Sequence, residues 1–197
     1  MTTARRHALT HLFKYGLVTA LPISFYAHGQ DKDSAGTNAT AQSPLQQHLN
    51  TPRLVGQGKY SYWGFDVYWA SLWSGESTLR PDQWQTQRLA LELRYLRDFD
   101  GKDIAKRSVD EMHMQSPLSA ETSSAWLKAL EALFPNVRKG QSLTGIYVPN
   151  AGAQFLFNNK PLGTLADTEL AKRFFAIWLS PQTSAPELRK KLFAEQN

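Results

Sequence analysis

Residues 88–114 read RLALELRYLRDFDGKDIAKRSVDEMHM, and the change of period inside this stretch decides the fold class. Over 88–97 the apolar residues alternate. Leu89, Leu91, Leu93 and Tyr95 point one way and Ala90, Glu92 and Arg94 the other, as in a half-buried strand. Asp100-Gly101 ends the alternation. Over 102–114 the period lengthens, so that Ile104, Ala105, Ser108, Val109 and Met112 share one face of a helix, with Arg107 and Glu111 one turn apart on its flank.

Working outward, 54–73 (LVGQGKYSYWGFDVYWASLW) holds two strand-like runs around Trp63-Gly64, which reads as a tight hairpin. Gly56 and Gly58 in the first run indicate a bulge or a close backbone approach. Downstream, Ser119 caps a second helix over 120–134, with Trp126, Leu127, Leu130, Leu133 and Phe134 as its buried stripe and Pro135 as its stop. Residues 142–148 form a strand, and 153–157 with 161–165 form a hairpin around Asn158-Asn159-Lys160. Asp167 caps a helix running to Leu179, and Ser184 with Glu187 makes a capping-box pattern for a last helix. Strands, two helices, strands, two helices is an α+β order with an antiparallel-rich sheet and the helices on one face.

The 197-residue chain carries a formal charge of +5 and no cysteine, which excludes disulfides, thiolate metal sites and a cysteine nucleophile. Residues 1–29 hold Arg5, Arg6 and Lys14, no acid, a short apolar run and the small-x-small end Ala27-His28-Gly29, the pattern of a secretory signal peptide. Removing it lowers the basic residues from 22 to 19 against 17 acids, so nucleic-acid binding loses its support. The expectation is export to a periplasm, with membrane contact only through this segment before cleavage. Residues 30–53 are polar and read as a flexible lead-in to a domain over 54–197.

Chemical motifs are scarce. His48 and His113 are the histidines beyond the leading segment and have no metal-ligand spacing, and no nucleophile elbow, phosphate loop or dinucleotide fingerprint is present. No metal or cofactor is expected. The aromatic density is more informative, since seven of the fourteen residues over 60–73 are aromatic. Alternate rings belong in a core, but this is more than one sheet face can bury, which points to a pocket lined by Tyr and Trp. Arg107 and Glu111 are either an ordinary surface pair, contributing about 0.2–0.5 kcal/mol, or a partly buried cation beside that pocket. Arg94 and Arg97 have the same two readings.

The run 101–111 (GKDIAKRSVDE) after its strand resembles the chalcone isomerase superfamily. So do the early Gly56-x-Gly58 hairpin, the segments FFAIWLSP over 174–181 and LFPNV over 133–137, and the late APELRKKL over 185–192. The likeness spans roughly 54–193 and is strongest to exported bacterial chalcone-isomerase-like proteins. It implies a curved antiparallel sheet with helices packed on one face and a cleft between. In true isomerases an arginine and a tyrosine-held water stabilise an enolate. Here Lys59-Tyr60 stand where that arginine is expected, Ile104 replaces the tyrosine, Arg107 replaces a lysine and Glu111 an asparagine. The arginine of fatty-acid-binding members falls on Glu92 or Arg94, which alignment does not separate.

The resemblance therefore implies loss of chalcone cyclisation and a cleft for a fatty acid or similar elongated apolar carboxylate. Tyr60, Tyr68, Tyr95 and Arg107 would line it, with Glu111 beside Arg107, and Arg107 or Arg94 would take the carboxylate. Two other readings stay open: an intramolecular lyase acting on an enone, and an interaction module of the cell envelope.

Overall fold

The computed structural model describes residues 44–75 and 78–194. Six strands form one antiparallel sheet in which spatial order equals chain order: β1 (Arg53–Tyr62), β2 (Phe65–Ser74), β3 (Leu89–Tyr95), β4 (Ser142–Val148), β5 (Gly152–Phe157) and β6 (Lys160–Leu165). Helices α1 (Gly101–Gln115) and α2 (Ala120–Leu133) are inserted between β3 and β4, while α3 (Thr168–Leu179) and α4 (Pro186–Leu192) follow β6. The expected α+β class is the observed one. Both two-residue hairpins place left-handed residues at the turn. Trp63 and Gly64 have φ of 51° and 79°, and Asn158 and Asn159 have 48° and 65°. That is the hand that matches strand twist.

The alternation read in 88–97 sorts β3 between two cores. Leu89, Leu91, Leu93 and Tyr95 pack with residues of all four helices, among them Val109, Leu130, Phe175 and Leu192. Ala90 faces the other way and joins Ile146 and Leu156 in a second apolar cluster. That cluster is closed by Leu49, which is fully buried, with Leu45 beside it. The flexible lead-in expected over 30–53 is therefore corrected for its second half. Residues 44–53 are folded, with a 3₁₀ turn over Pro44–Gln47 and Leu49 buried. The physical reason is the apolar second face of the sheet, which leaves about 25 cal/mol per Å² unrealised unless something covers it. The expected signal segment 1–29 and residues 30–43 lie outside the described residues.

Gly56 serves both purposes read for it. The β1–β2 register shifts between Leu54 and Gly56, and α4 crosses β1 so closely that a Cβ on Gly56 would collide with the carbonyl oxygens of Lys191 and Leu192. Ser119 and Asp167 cap α2 and α3 as expected, accepting from Thr122 N and from the Glu169 and Leu170 amides. Ser184 does not cap. Helix α4 begins one residue later, with Ala185 at the cap and Pro186 first in the helix, and the Ser184 hydroxyl is used elsewhere.

Candidate functional site

Between the helix-facing side of the sheet and helices α1 and α3 lies a cavity of about 420 Å³. Its walls are apolar. Leu91 and Leu93 come from β3, Leu143 from β4 and Phe155 from β5, and Phe174 and Phe175 of α3 stand opposite. The volume is in the range of small-molecule sites, and the ring-rich wall with a few polar groups is their usual composition.

One side is a ladder of rings across three elements. Tyr60 of β1 stacks on Tyr68 of β2 at 5.2 Å between centroids, Tyr68 meets Tyr95 of β3 edge-on at 6.1 Å, and Tyr95 meets Phe99 at 5.7 Å. Cross-strand register makes the ladder, since Tyr60 pairs Tyr68 and Tyr68 pairs Tyr95. The Tyr68 hydroxyl accepts a 2.9 Å hydrogen bond from Trp178 Nε1, which ties the ladder to α3. Burial pushes the Tyr68 and Tyr95 phenols well above their ordinary range, so both stay protonated at neutral pH. Tyr95 is a buried residue whose side chain lines the cavity.

The polar end is built by α1 and the approach to α4. Glu111 is only 5% exposed, and it accepts from the Arg107 guanidinium and, at 2.8 Å, from Ser184 Oγ. Arg107 is half exposed and lies over the Tyr62 ring at 5.7 Å, so the cation sits at the mouth and the anion inside it. Tyr60 completes this end. Burial raises its pKa while the Arg107 guanidinium opposes the rise. The structure thus gathers Tyr60, Tyr68, Tyr95, Arg107 and Glu111 around one space.

Arg94 is the exception. The β3 alternation that sends Leu93 and Tyr95 inward sends Arg94 outward, where it is exposed and 3.7 Å from Glu92. Neither Glu92 nor Arg94 is among the residues lining the cavity, so the expectation that Arg94 could take the ligand carboxylate is corrected. Sequence reasoning missed Ser184 as a polar contact and Tyr62 as a lining ring. The Ser184-to-Glu187 spacing pointed to a helix cap instead, and nothing local in the sequence signals its partner 73 residues away.

An antiparallel sheet bearing four helices on one face, with an apolar cavity between the layers, defines an α+β protein of the chalcone isomerase fold. Residues 32–194 match the chalcone isomerase-like family, and the chain belongs to it. The protein is similar to an uncharacterised protein of Haemophilus influenzae, 27% identical over 141 residues, which are 72% of this chain and 67% of that one. Its fold is similar to that of the Arabidopsis thaliana fatty-acid binding protein AtFAP1, with a TM-score of 0.54 at 11% identity over 73% of this chain and 87% of that chain.

Proposed function

We propose that this protein is a non-catalytic binder of an elongated apolar molecule with one polar end, a fatty acid or a close relative. The observation that carries the reading is the distribution of polarity in the cavity, with hydrocarbon and rings from the sheet and α3, and the polar groups Asp103, Arg107, Ser108 and Glu111 of α1 beside Tyr60 and Ser184. A chain buried there gains about 0.8 kcal/mol per methylene. Its carboxylate or hydroxyl meets the guanidinium donors that Glu111 leaves over and the protonated Tyr60. The chalcone isomerase-like family and the fatty-acid binding protein of the same fold support this class of ligand.

The lyase reading is less well supported by the same geometry. An enolate stabiliser acts through unspent positive charge in a preorganised site. Arg107 is paired with a buried carboxylate, which weakens its hold on any anion alike, and the lyase reading is further weakened because Lys59-Tyr60 and Ile104 stand where the isomerases' arginine and tyrosine are expected. Native mass spectrometry of the full chain tests the proposal. The expected spectrum shows the protein with a co-purifying lipid-sized adduct, lost on activation. An adduct-free spectrum that also stays free after incubation with palmitate overturns the reading. We also propose that residues 1–29 direct export and are removed, for which N-terminal sequencing of the protein from its cell envelope would show a start near Gln30.

A further inference from the structure

The β1–β2 hairpin ends in a cluster of rings that the fold leaves in water. Trp63 is 84% exposed, Phe65 64% and Tyr62 51%, and Trp69 on the outer face of β2 is exposed as well. Packing gives no reason for a tryptophan at 63. Its φ of 51° is left-handed, a conformation in which Asn or Gly is at home and a bulky ring is rare. The neighbouring Gly64 has nothing within 4 Å of where a side chain would begin, so the turn itself is open to solvent. An exposed ring held at a backbone cost, on an open turn, points to a partner rather than to folding.

The charges around the tip identify the partner. The Arg97 guanidinium lies over the Phe65 ring at 5.5 Å and over Phe99 at 5.8 Å, and it has no acidic partner among the described residues. Lys59 and Arg94 flank Trp69 across the strands, each beside its own acid, Asp66 at 2.7 Å and Glu92 at 3.7 Å, so Arg97 is the cation at the tip that no acid offsets. Trp, Tyr and Phe beside basic residues is the composition that settles at a lipid–water boundary. There the rings sit at headgroup depth, and the Arg97 cation gains from anionic lipid. Among the described residues no helix is long and apolar enough to cross a membrane, so the contact is interfacial. Tyr62 belongs both to this tip and to the mouth of the cavity, which makes the exposed patch continuous with the cavity opening.

We infer that the β1–β2 tip, centred on Trp63 and Phe65 with Arg97 at its rim, is a membrane-docking element that inserts into the headgroup region of an anionic bilayer. Membrane contact was expected from the leading segment alone, and this adds a second, built into the folded domain. The inference stands on the hairpin and goes beyond the ligand reading.

The test uses the full chain and vesicles of phosphatidylcholine mixed with phosphatidylglycerol, part of it carrying brominated acyl chains that quench tryptophan at close range. All six tryptophans lie beyond residue 43, so the quenched signal comes from the folded domain even if the leading segment also binds lipid. The expected result is quenching in the wild type that Trp63→Asn abolishes, with a melting temperature no lower than wild type. Phe65→Ser, which keeps Trp63 as the reporter, lowers partition about tenfold. Arg97→Gln lowers it about fivefold on anionic vesicles and little on phosphatidylcholine alone. Absence of quenching in the wild type overturns the inference, as does quenching that survives Trp63→Asn. A concentration-dependent dimer in sedimentation that Trp63→Asn removes, without vesicle quenching, would make a second copy of the chain the occupant and overturns it equally.

Discussion

Glu111 is the residue on which the chemistry of the cavity turns. It is a carboxylate buried at the polar end, and Arg107 and Ser184 compensate that burial without adding net charge. A ligand carboxylate therefore meets a guanidinium whose charge is already spent. Glu111→Gln keeps the volume and the contact with Ser184 but frees Arg107. It is expected to tighten fatty-acid binding by about fivefold, with a stability change within about 1 kcal/mol. Arg107→Gln strands Glu111 and acts in the opposite direction on both, weakening binding and lowering stability by about 1–3 kcal/mol. Calorimetric titration and chemical denaturation of the two variants read both effects. Weaker binding in Glu111→Gln would mean that Glu111 contacts the ligand directly as an acceptor.

At the scale of the elements, most of the architecture is legible because period and punctuation agree. β3 alternates, α1 does not, Ser119 and Asp167 open helices, and Trp63-Gly64 and Asn158-Asn159 turn hairpins. The aromatic excess over 60–73 correctly indicates that one face cannot hold it, but not how it divides. Tyr60 and Tyr68 go to the cavity, Trp73 goes under the Leu45–Leu49 cover, and Trp63 and Phe65 go to the tip. Strand alternation separates Tyr60 and Tyr68 from Trp69 and Trp73, while Trp63 and Phe65 sit at the hairpin turn, where neither face of the sheet claims them. Arg94 is missed for a different reason. The strand parity that places it outward was plain in 88–97, and alignment to fatty-acid-binding members outweighed it. β3 also provides the cleanest way to close the cavity. Leu93→Phe adds volume to its wall, and it is expected to lower fatty-acid affinity by about tenfold while the thermal midpoint holds or rises, since the ring fills space rather than displacing packed atoms. A large fall in midpoint with unchanged affinity would show that the space is not where the ligand lies.

For the molecule as a whole, the tyrosine ladder makes stability sensitive to alkali. Tyrosines of the unfolded chain ionise near pH 10, while burial holds Tyr68 and Tyr95 protonated well above that. Above about pH 10 the folded state binds more protons than the unfolded one. The ladder's contribution is therefore complete below about pH 10 and is lost as pH rises, by up to about 1.4 kcal/mol per pH unit for each such tyrosine. Urea unfolding at a series of pH values from neutral to strongly alkaline checks this, and a flat profile above about pH 10 would contradict it. The sheet, the helix layer and the α4 strap over Gly56 act together to keep one apolar space of about 420 Å³ open between the layers. The most direct measurement of what that space is for is calorimetry with a series of saturated fatty acids of increasing length. The account predicts affinity rising by about 0.8 kcal/mol per methylene until the cavity is filled and then levelling off, with a negative heat-capacity change. Affinity that is absent, or independent of chain length across the series, would contradict it.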